Sequence, residues 1–167
     1  MKAENINPFI QSISEVFESM LDSKVAVKDL HLSAADEGHP DIIGLIGLSG
    51  TAKGIVALKL PVPTALAIIG KMVGTGFKSV DSSVIDGVGE LVNIVAGNAK
   101  AKFEGQSISL SLPTVVRGSI YRLQNLGEMV WLSLPFESEL GEFSLEVSFK
   151  QMSTTKQEVA HASACGR

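Results

Sequence analysis

The stretch Asp81–Phe103, DSSVIDGVGELVNIVAGNAKAKF, is the longest helical pattern in the chain. At 100° per residue, Val84, Val88, Leu91, Val92, Val95 and Ala99 fall within an arc of about 100°. Asp86, Glu90, Asn93, Gly97 and Lys100 fall on the opposite side, within about 80° of one another. One buried stripe therefore faces one polar stripe, as expected for a helix lying on a sheet. Asp81, Ser82 and Ser83 supply the side-chain oxygens that favour a helix start.

Working outward, strand patterns flank this helix on both sides. Upstream, Asp41–Leu48 and Gly54–Leu60 are apolar runs whose joint, Ser49–Lys53, has hairpin length and contains Gly50. Pro61 and Pro63 stop the second run, because proline lacks the ladder N–H. Thr64–Val73 carries Leu66, Ile69, Met72 and Val73 at helical spacing and ends at Gly74. Further upstream, Phe9, Ile10, Ile13, Val16, Phe17, Met20 and Leu21 form another amphipathic helix, with Asn7 as its expected cap and Pro8 as its first residue. Lys24–Leu32 alternates and then changes phase at Asp29, which reads as a strand with a bulge.

Downstream, Ser107–Leu112, Val115–Leu123, Met129–Leu134 and Glu142–Lys150 read as strands. In the last, Phe143, Leu145, Val147 and Phe149 face one way, and Ser144, Glu146, Ser148 and Lys150 the other. The pattern stops at Lys150, so residues 1–150 are expected to form a single domain, with 151–167 a mobile tail. Short joints favour antiparallel pairing. The expected class is α+β: a largely antiparallel sheet of about six strands with three helices packed on it.

Composition narrows the function. With 14 Lys and Arg against 18 Asp and Glu, the net charge is −4, and the basic residues are scattered. That argues against nucleic-acid binding, which needs clustered cations facing phosphates. The single cysteine, Cys165, has no second thiol for an internal disulfide or a thiolate metal site. The opening MKAENINPF lacks an apolar core of signal-peptide length, and no apolar run reaches about 18 residues. The expectation is a cytoplasmic protein without membrane insertion. His31, His39 and His161 lack metal-ligand spacing, and no serine sits in a G-x-S-x-G turn. Gly47–Gly54, GLSGTAKG, lacks the G-x4-G-K-[ST] pattern and is better read as a hairpin.

The polar stripe of the long helix is unusual. Asn is a poor mid-helix residue because its amide competes for backbone hydrogen bonds. Gly87, Gly89 and Gly97 each cost about 1 kcal/mol relative to Ala in a helix interior. A solvated face is one reading of such a stripe; a docking or catalytic face, where glycine lets another backbone come close, is the other.

Asp86, Glu90 and Asn93 spell D-x3-E-x2-N, and Pro113 follows in Ser111–Gly118, SLPTVVRG. These residues, with the small-residue run after Asn93, resemble the CheC/CheX/FliY family of chemotaxis phosphatases, and the CheX branch in particular, over about residues 5–150. The resemblance implies a CheC/CheX-like fold and hydrolysis of the phospho-aspartate on a CheY-like response-regulator receiver. It implies Asn93 as the residue that positions the attacking water and Glu90 as the partner of a receiver lysine. Asp86, Gly97 and Lys100 would be partner contacts at the rim, and Pro113 would shape the strand start. Mg²⁺ would be supplied by the receiver, with no cofactor of this chain's own. A homodimer built by sheet pairing is also implied. The CheC branch resembles two copies of the E-x2-N helix; here Glu15 is followed three residues on by Glu18, so one site per chain is expected. The alternatives are a non-catalytic module of the same fold that docks receivers or a flagellar-switch partner, and a structural subunit that self-associates through this helix face.

Overall fold

The structure, a computed structural model, describes residues 5–32, 41–118 and 130–152. It contains α1 (Asn7–Leu21), β1 (Val25–Val27), β2 (His31–Leu32), β3 (Ile42–Gly50), β4 (Ala52–Leu60), α2 (Val62–Val73), α3 (Ser82–Ala101), β5 (Ile108–Leu110), β6 (Thr114–Arg117), β7 (Trp131–Ser138) and β8 (Gly141–Gln151). The strands make one antiparallel sheet in the order β1-β7-β8-β4-β3-β5, with β2 also on β7 and β6 also on β3.

Two tight hairpins set the register. β3 and β4 turn at Gly50, whose φ of +110° lies in the left-handed region, and a Cβ there would collide with the Ser107 carbonyl. β7 and β8 turn through Glu139-Leu140 into Gly141, at φ +122°. The two hairpins join along β4 and β8, from Ala52 opposite Gln151 to Lys59 opposite Ser144.

The expected α+β class holds, but with eight strands rather than about six. The Lys24–Leu32 strand is split by the bulge at the phase change. Val27 stands opposite Phe136 and Lys28 bonds to the Pro135 carbonyl, whereas His31 stands opposite Ser133. Asp29 and Leu30 thus share the space opposite Leu134 alone, as in a bulge. The same device separates β5 from β6. Ser111 donates its N–H to the Gly47 carbonyl, and Thr114 stands opposite Leu45, so Leu112 and Pro113 together face Ile46. Both bulges lie in edge strands, where such irregularity discourages pairing with other chains.

The three helices share one core with one face of the sheet. Ile42, Ile46, Val56, Leu58, Leu145 and Val147 point into it from the strands, and Phe9, Ile13, Ile68, Val88 and Val92 from the helices. Stacked Phe17–Phe143–Phe136 rings, with centroids 5.2 Å apart, and the chain Phe9–Phe103–Phe149 join α1 to the β7–β8 hairpin. On the other face, the strands carry a buried ion pair between Lys59 of β4 and Glu146 of β8.

Three local expectations change. The cap of α1 is Ile6, not Asn7; Ile6 accepts from Phe9 and Ile10 through its carbonyl and makes no side-chain cap bond. Met20, on the stripe by angle, is 42% exposed, because in that last turn Leu21 takes the buried position. β8 runs through Gln151, and the Met152 N–H reaches the Thr51 carbonyl at 2.8 Å, so the strand takes the first residues assigned to the tail. The remainder of the tail, the turn over 34–40 and the 119–129 part of the expected strands lie outside the described residues.

Candidate functional site

α3 is held at both ends and along its length. Asp81 caps it, its Oδ1 accepting from the Val84 N–H at 3.0 Å. At the far end the Lys102 N–H donates to the Ala99 carbonyl and the Phe103 N–H to the Lys100 carbonyl. In the middle, the buried Ser12 hydroxyl of α1 donates to the Val95 carbonyl at 2.7 Å. Lys102 pairs with Glu15 of α1 at 2.6 Å. Twenty residues at 1.5 Å each make a rod of about 30 Å.

The buried face follows the sequence reading: Val84, Val88, Leu91, Val92, Val95 and Ala99 are all buried. On the opposite face Asp86, Glu90 and Lys100 are exposed, while Asn93 and Gly97 are half-buried. Glu90 and Asn93 stand three residues apart, so they are neighbours on one helix face. Among the described residues, no ion pair engages Asp86, Glu90 or Lys100, and no hydrogen bond engages the Asn93 amide. Lys28, Lys59, Lys71 and Lys102, by contrast, are all in ion pairs. The Asn93 amide can both accept and donate, and the Glu90 carboxylate can accept from a cation. Lys100 lies seven residues beyond Asn93, about 10 Å along the axis, too far to share one reacting group with it.

Glycines set how α3 is seated around Glu90, and here the sequence reading needs correction. Two of the three mid-helix glycines serve packing within the chain rather than docking. A Cβ on Gly87 would stand 2.5 Å from Ile69 Cγ2 of α2. Gly89 lies under Val115 and Pro113, at 3.5 and 3.8 Å from its Cβ position. A third close approach, unmarked by the helix pattern, is Gly44 of β3, whose Cβ position is 3.1 Å from Val92. Gly97 alone of the three has nothing within 4 Å. α2 and the Pro113–Val115 segment thus flank the Glu90 stripe as two walls without covering it.

The site is an exposed helix face. Three cavities lined by described residues lie away from this face, beside Ser23 and Lys24, beside Gly70 and Phe77, and beside Leu45 and Trp131. No group of three or more His, Cys, Asp or Glu side chains is placed to hold a metal ion among the described residues. No described helix is long and apolar enough to cross a membrane.

The sequence model of the chemotaxis phosphatase CheX matches residues 42–137, a span that holds β3, α3 and the Pro113 segment. The chain belongs to the CheX family. Its fold is also that of solved members. A CheC-like superfamily protein from Shewanella sp. PV-4 is 30% identical with a TM-score of 0.82, covering 90% of this chain and 99% of its own. A chemotaxis protein CheX from Vibrio vulnificus is 28% identical with a TM-score of 0.81, covering 89% of this chain and all of its own. A Borrelia burgdorferi CheX, solved in complex with CheY, BeF3 and Mg²⁺, shares the fold at 20% identity and a TM-score of 0.76, covering 90% of this chain and 100% of that one. None of the curated proteins matches. The CheX-family reading thus rests on nearly the whole described chain.

Sequence reasoning missed two structural parts of this CheX-family site. One is Gly44, a glycine in an apolar strand, where only the distance to Val92 gives it meaning. The other is the bulge at Leu112–Pro113, for which the proline between two strand patterns was the available signal.

Proposed function

We propose that this chain is a phosphatase that accelerates hydrolysis of the phospho-aspartate of a CheY-like response-regulator receiver, with residues 1–150 as its single catalytic domain. The observation that carries the reading is the pair Glu90 and Asn93: adjacent on one helix face, both without side-chain partners among the described residues, in a member of the CheX family.

The reaction is attack of water on phosphorus, with cleavage of the bond to the aspartate oxygen. It releases inorganic phosphate and regenerates the carboxylate, and the water's protons pass to phosphate and solvent. Such transfers have loose transition states, so positioning outweighs proton abstraction. Asn93 cannot serve as a base near pH 7, but its amide can hold the water in line with phosphorus. Glu90 pairs with a lysine of the receiver beside the phosphoryl group and fixes the register of the two proteins. Asp86, Gly97 and Lys100 make rim contacts. The receiver supplies the Mg²⁺ that neutralises phosphoryl charge. The Borrelia burgdorferi complex of CheX with CheY, BeF3 and Mg²⁺ supports a receiver as partner. The chain works in the cytoplasm as a homodimer joined by sheet pairing, with one site per chain; α1 offers Glu15 and Glu18 but no asparagine at that spacing, and Glu15 is tied to Lys102.

The test is phosphate release from phosphorylated CheY-like receivers with and without the protein. Release faster than the receiver's own rate is expected. Binding without acceleration would instead favour the second reading, a docking module for receivers or a flagellar-switch partner.

A further inference from the structure

The middle of α3 rests on a strand residue that has no side chain. A Cβ on Gly44 would stand 3.1 Å from Val92 Cγ1, 3.2 Å from Val92 Cβ and 3.3 Å from Val88 Cγ1. Carbon atoms in good contact are about 3.5–4.0 Å apart. Val92 is β-branched, and in a helix its χ1 keeps mainly to one well. Rotating it would in any case leave the Val92 Cβ in place, because that atom is fixed to the helix backbone. A glycine inside a strand weakens it and marks a point where another part of the structure comes close.

The strand has little room to yield to a larger residue. Gly44 stands opposite Leu58 of β4 on one side and Val115 of β6 on the other, so its strand is paired on both edges there. α3 is not free to move as a whole either. Asp81 caps its first turn, and the Ser12 hydroxyl of α1 donates to the Val95 carbonyl at 2.7 Å. The give therefore falls between those two anchors, on the turns that carry Glu90 and Asn93. Val92 immediately precedes Asn93, so a lift at Val92 moves the Asn93 backbone with it.

We propose that Gly44 is a positioning residue: by lacking a Cβ it sets the height of Asn93 above the sheet, and so places the amide that orients the attacking water. This rests on the receiver-phosphatase reading. Gly44→Ala lifts the middle of α3 by about 0.3–0.8 Å, the step from 3.2 Å to ordinary carbon contact. A misplacement of about 1 Å can cost about 10² in rate. Glu90 ends in a longer, exposed side chain that can re-aim, whereas Asn93 is shorter and half-buried. The loss therefore falls on turnover rather than on affinity.

The experiment compares the full chain with Gly44→Ala and with Phe136→Leu, a core truncation in the β7–β8 hairpin, where Phe136 stacks on Phe143. Single-turnover phosphate release from a phosphorylated CheY-like receiver is measured at saturating protein, well below the melting temperature of each variant. The Kd is measured separately, with receiver activated by BeF3⁻ and Mg²⁺. Gly44→Ala should slow release about tenfold with Kd within about threefold of the parent. Phe136→Leu should lose stability yet release phosphate at the parent rate. Should Gly44→Ala not fold, Gly44→Ala/Val92→Ala removes the nearest methyl but keeps the 3.2 Å approach to the Val92 Cβ, and the same loss is expected of it. Release by Gly44→Ala within about twofold of the parent overturns the proposal and leaves the phosphatase reading intact. An equal slowing in Phe136→Leu also overturns it, since general loosening would then explain both. So does a rise in Kd with the rate preserved, which would give Gly44 a role in docking instead. A parent chain that does not accelerate release removes the phosphatase reading, and this proposal with it.

Discussion

Ile69 of α2 comes so close to Gly87 of α3 that a Cβ at position 87 would stand 2.5 Å from its Cγ2. Ile69 is fully buried, so it has little room to yield. Gly87→Ala should therefore destabilise the fold by about 1–3 kcal/mol, the usual range for overpacking, despite the better helix propensity of Ala. Gly97→Ala should do the reverse, stabilising by about 0.5–1 kcal/mol, because nothing stands within 4 Å of its Cβ position. Urea unfolding of both variants checks the pair. If receiver binding also weakens in Gly97→Ala, a partner backbone uses that gap, as the rim assignment of Gly97 requires.

The Lys59–Glu146 pair makes a second prediction. Their side chains are 13% and 4% exposed, so the charges have little water to fall back on. Lys59→Met, which breaks this buried pair, should destabilise the fold by up to about 3–5 kcal/mol. The double variant Lys59→Met/Glu146→Leu should recover most of that, since an apolar pair of similar volume has no charge to desolvate. A double-mutant cycle in urea reads the coupling directly, and near-additive losses would show that the two side chains act independently.

Acid stability follows from the surface pairs around the β7–β8 turn. The hydrogen bond and charge of Lys28 hold the Glu142 carboxyl below its ordinary value of 4.5. Lys71 does the same to Glu139. A depressed carboxylate contributes stability that is fully present above its unfolded value and is lost as pH falls through its folded value. Folding should therefore weaken on acidification from about pH 4.5 downward. In Lys28→Met the Glu142 part of that slope should flatten, by a small amount because the pair is exposed and screened by salt. Thermal melts from pH 7 to pH 3 at low and high salt measure it.

Glu90→Ala should act mainly on recognition. Truncating a charge that pairs across an interface typically slows association and weakens affinity. The receiver Kd should rise about tenfold or more. Affinity should also become less sensitive to salt, since one cross-interface charge pair is gone. Titration of activated receiver at two ionic strengths checks this, and an unchanged salt dependence would remove Glu90 from the charge-pair role.

Much of this arrangement was legible in the residues because it is periodic. The 3.6-residue pattern gave α3 and both of its faces, and the alternation from Phe143 to Phe149 gave β8. The phase change at Asp29 announced the bulge that splits the first strand. What stayed hidden depends on residues far apart in the chain. Nothing in β3 marks Gly44 as the seat of Val92, and nothing near Gly87 names Ile69. Those glycines read as open backbone in sequence, whereas two of the three in α3 are filled by neighbours. Likewise Glu146 sits on the polar side of an alternating strand, and only the register with Lys59's strand makes it a buried ion pair.

The central claim is that Asn93 positions a water molecule, and turnover by Asn93→Ala tests it most directly. The side chain is half-buried on the outer face of α3 and makes no hydrogen bond among the described residues, so the variant should fold and bind receiver as the parent does. Removing one preorganised group of this kind typically costs about 10²–10³ in rate. Single-turnover phosphate release from phosphorylated receiver, at saturating protein, isolates that step from binding. The account predicts a fall in kcat of this size with Kd essentially unchanged. Release at the parent rate would contradict it and leave the protein a receiver-binding module.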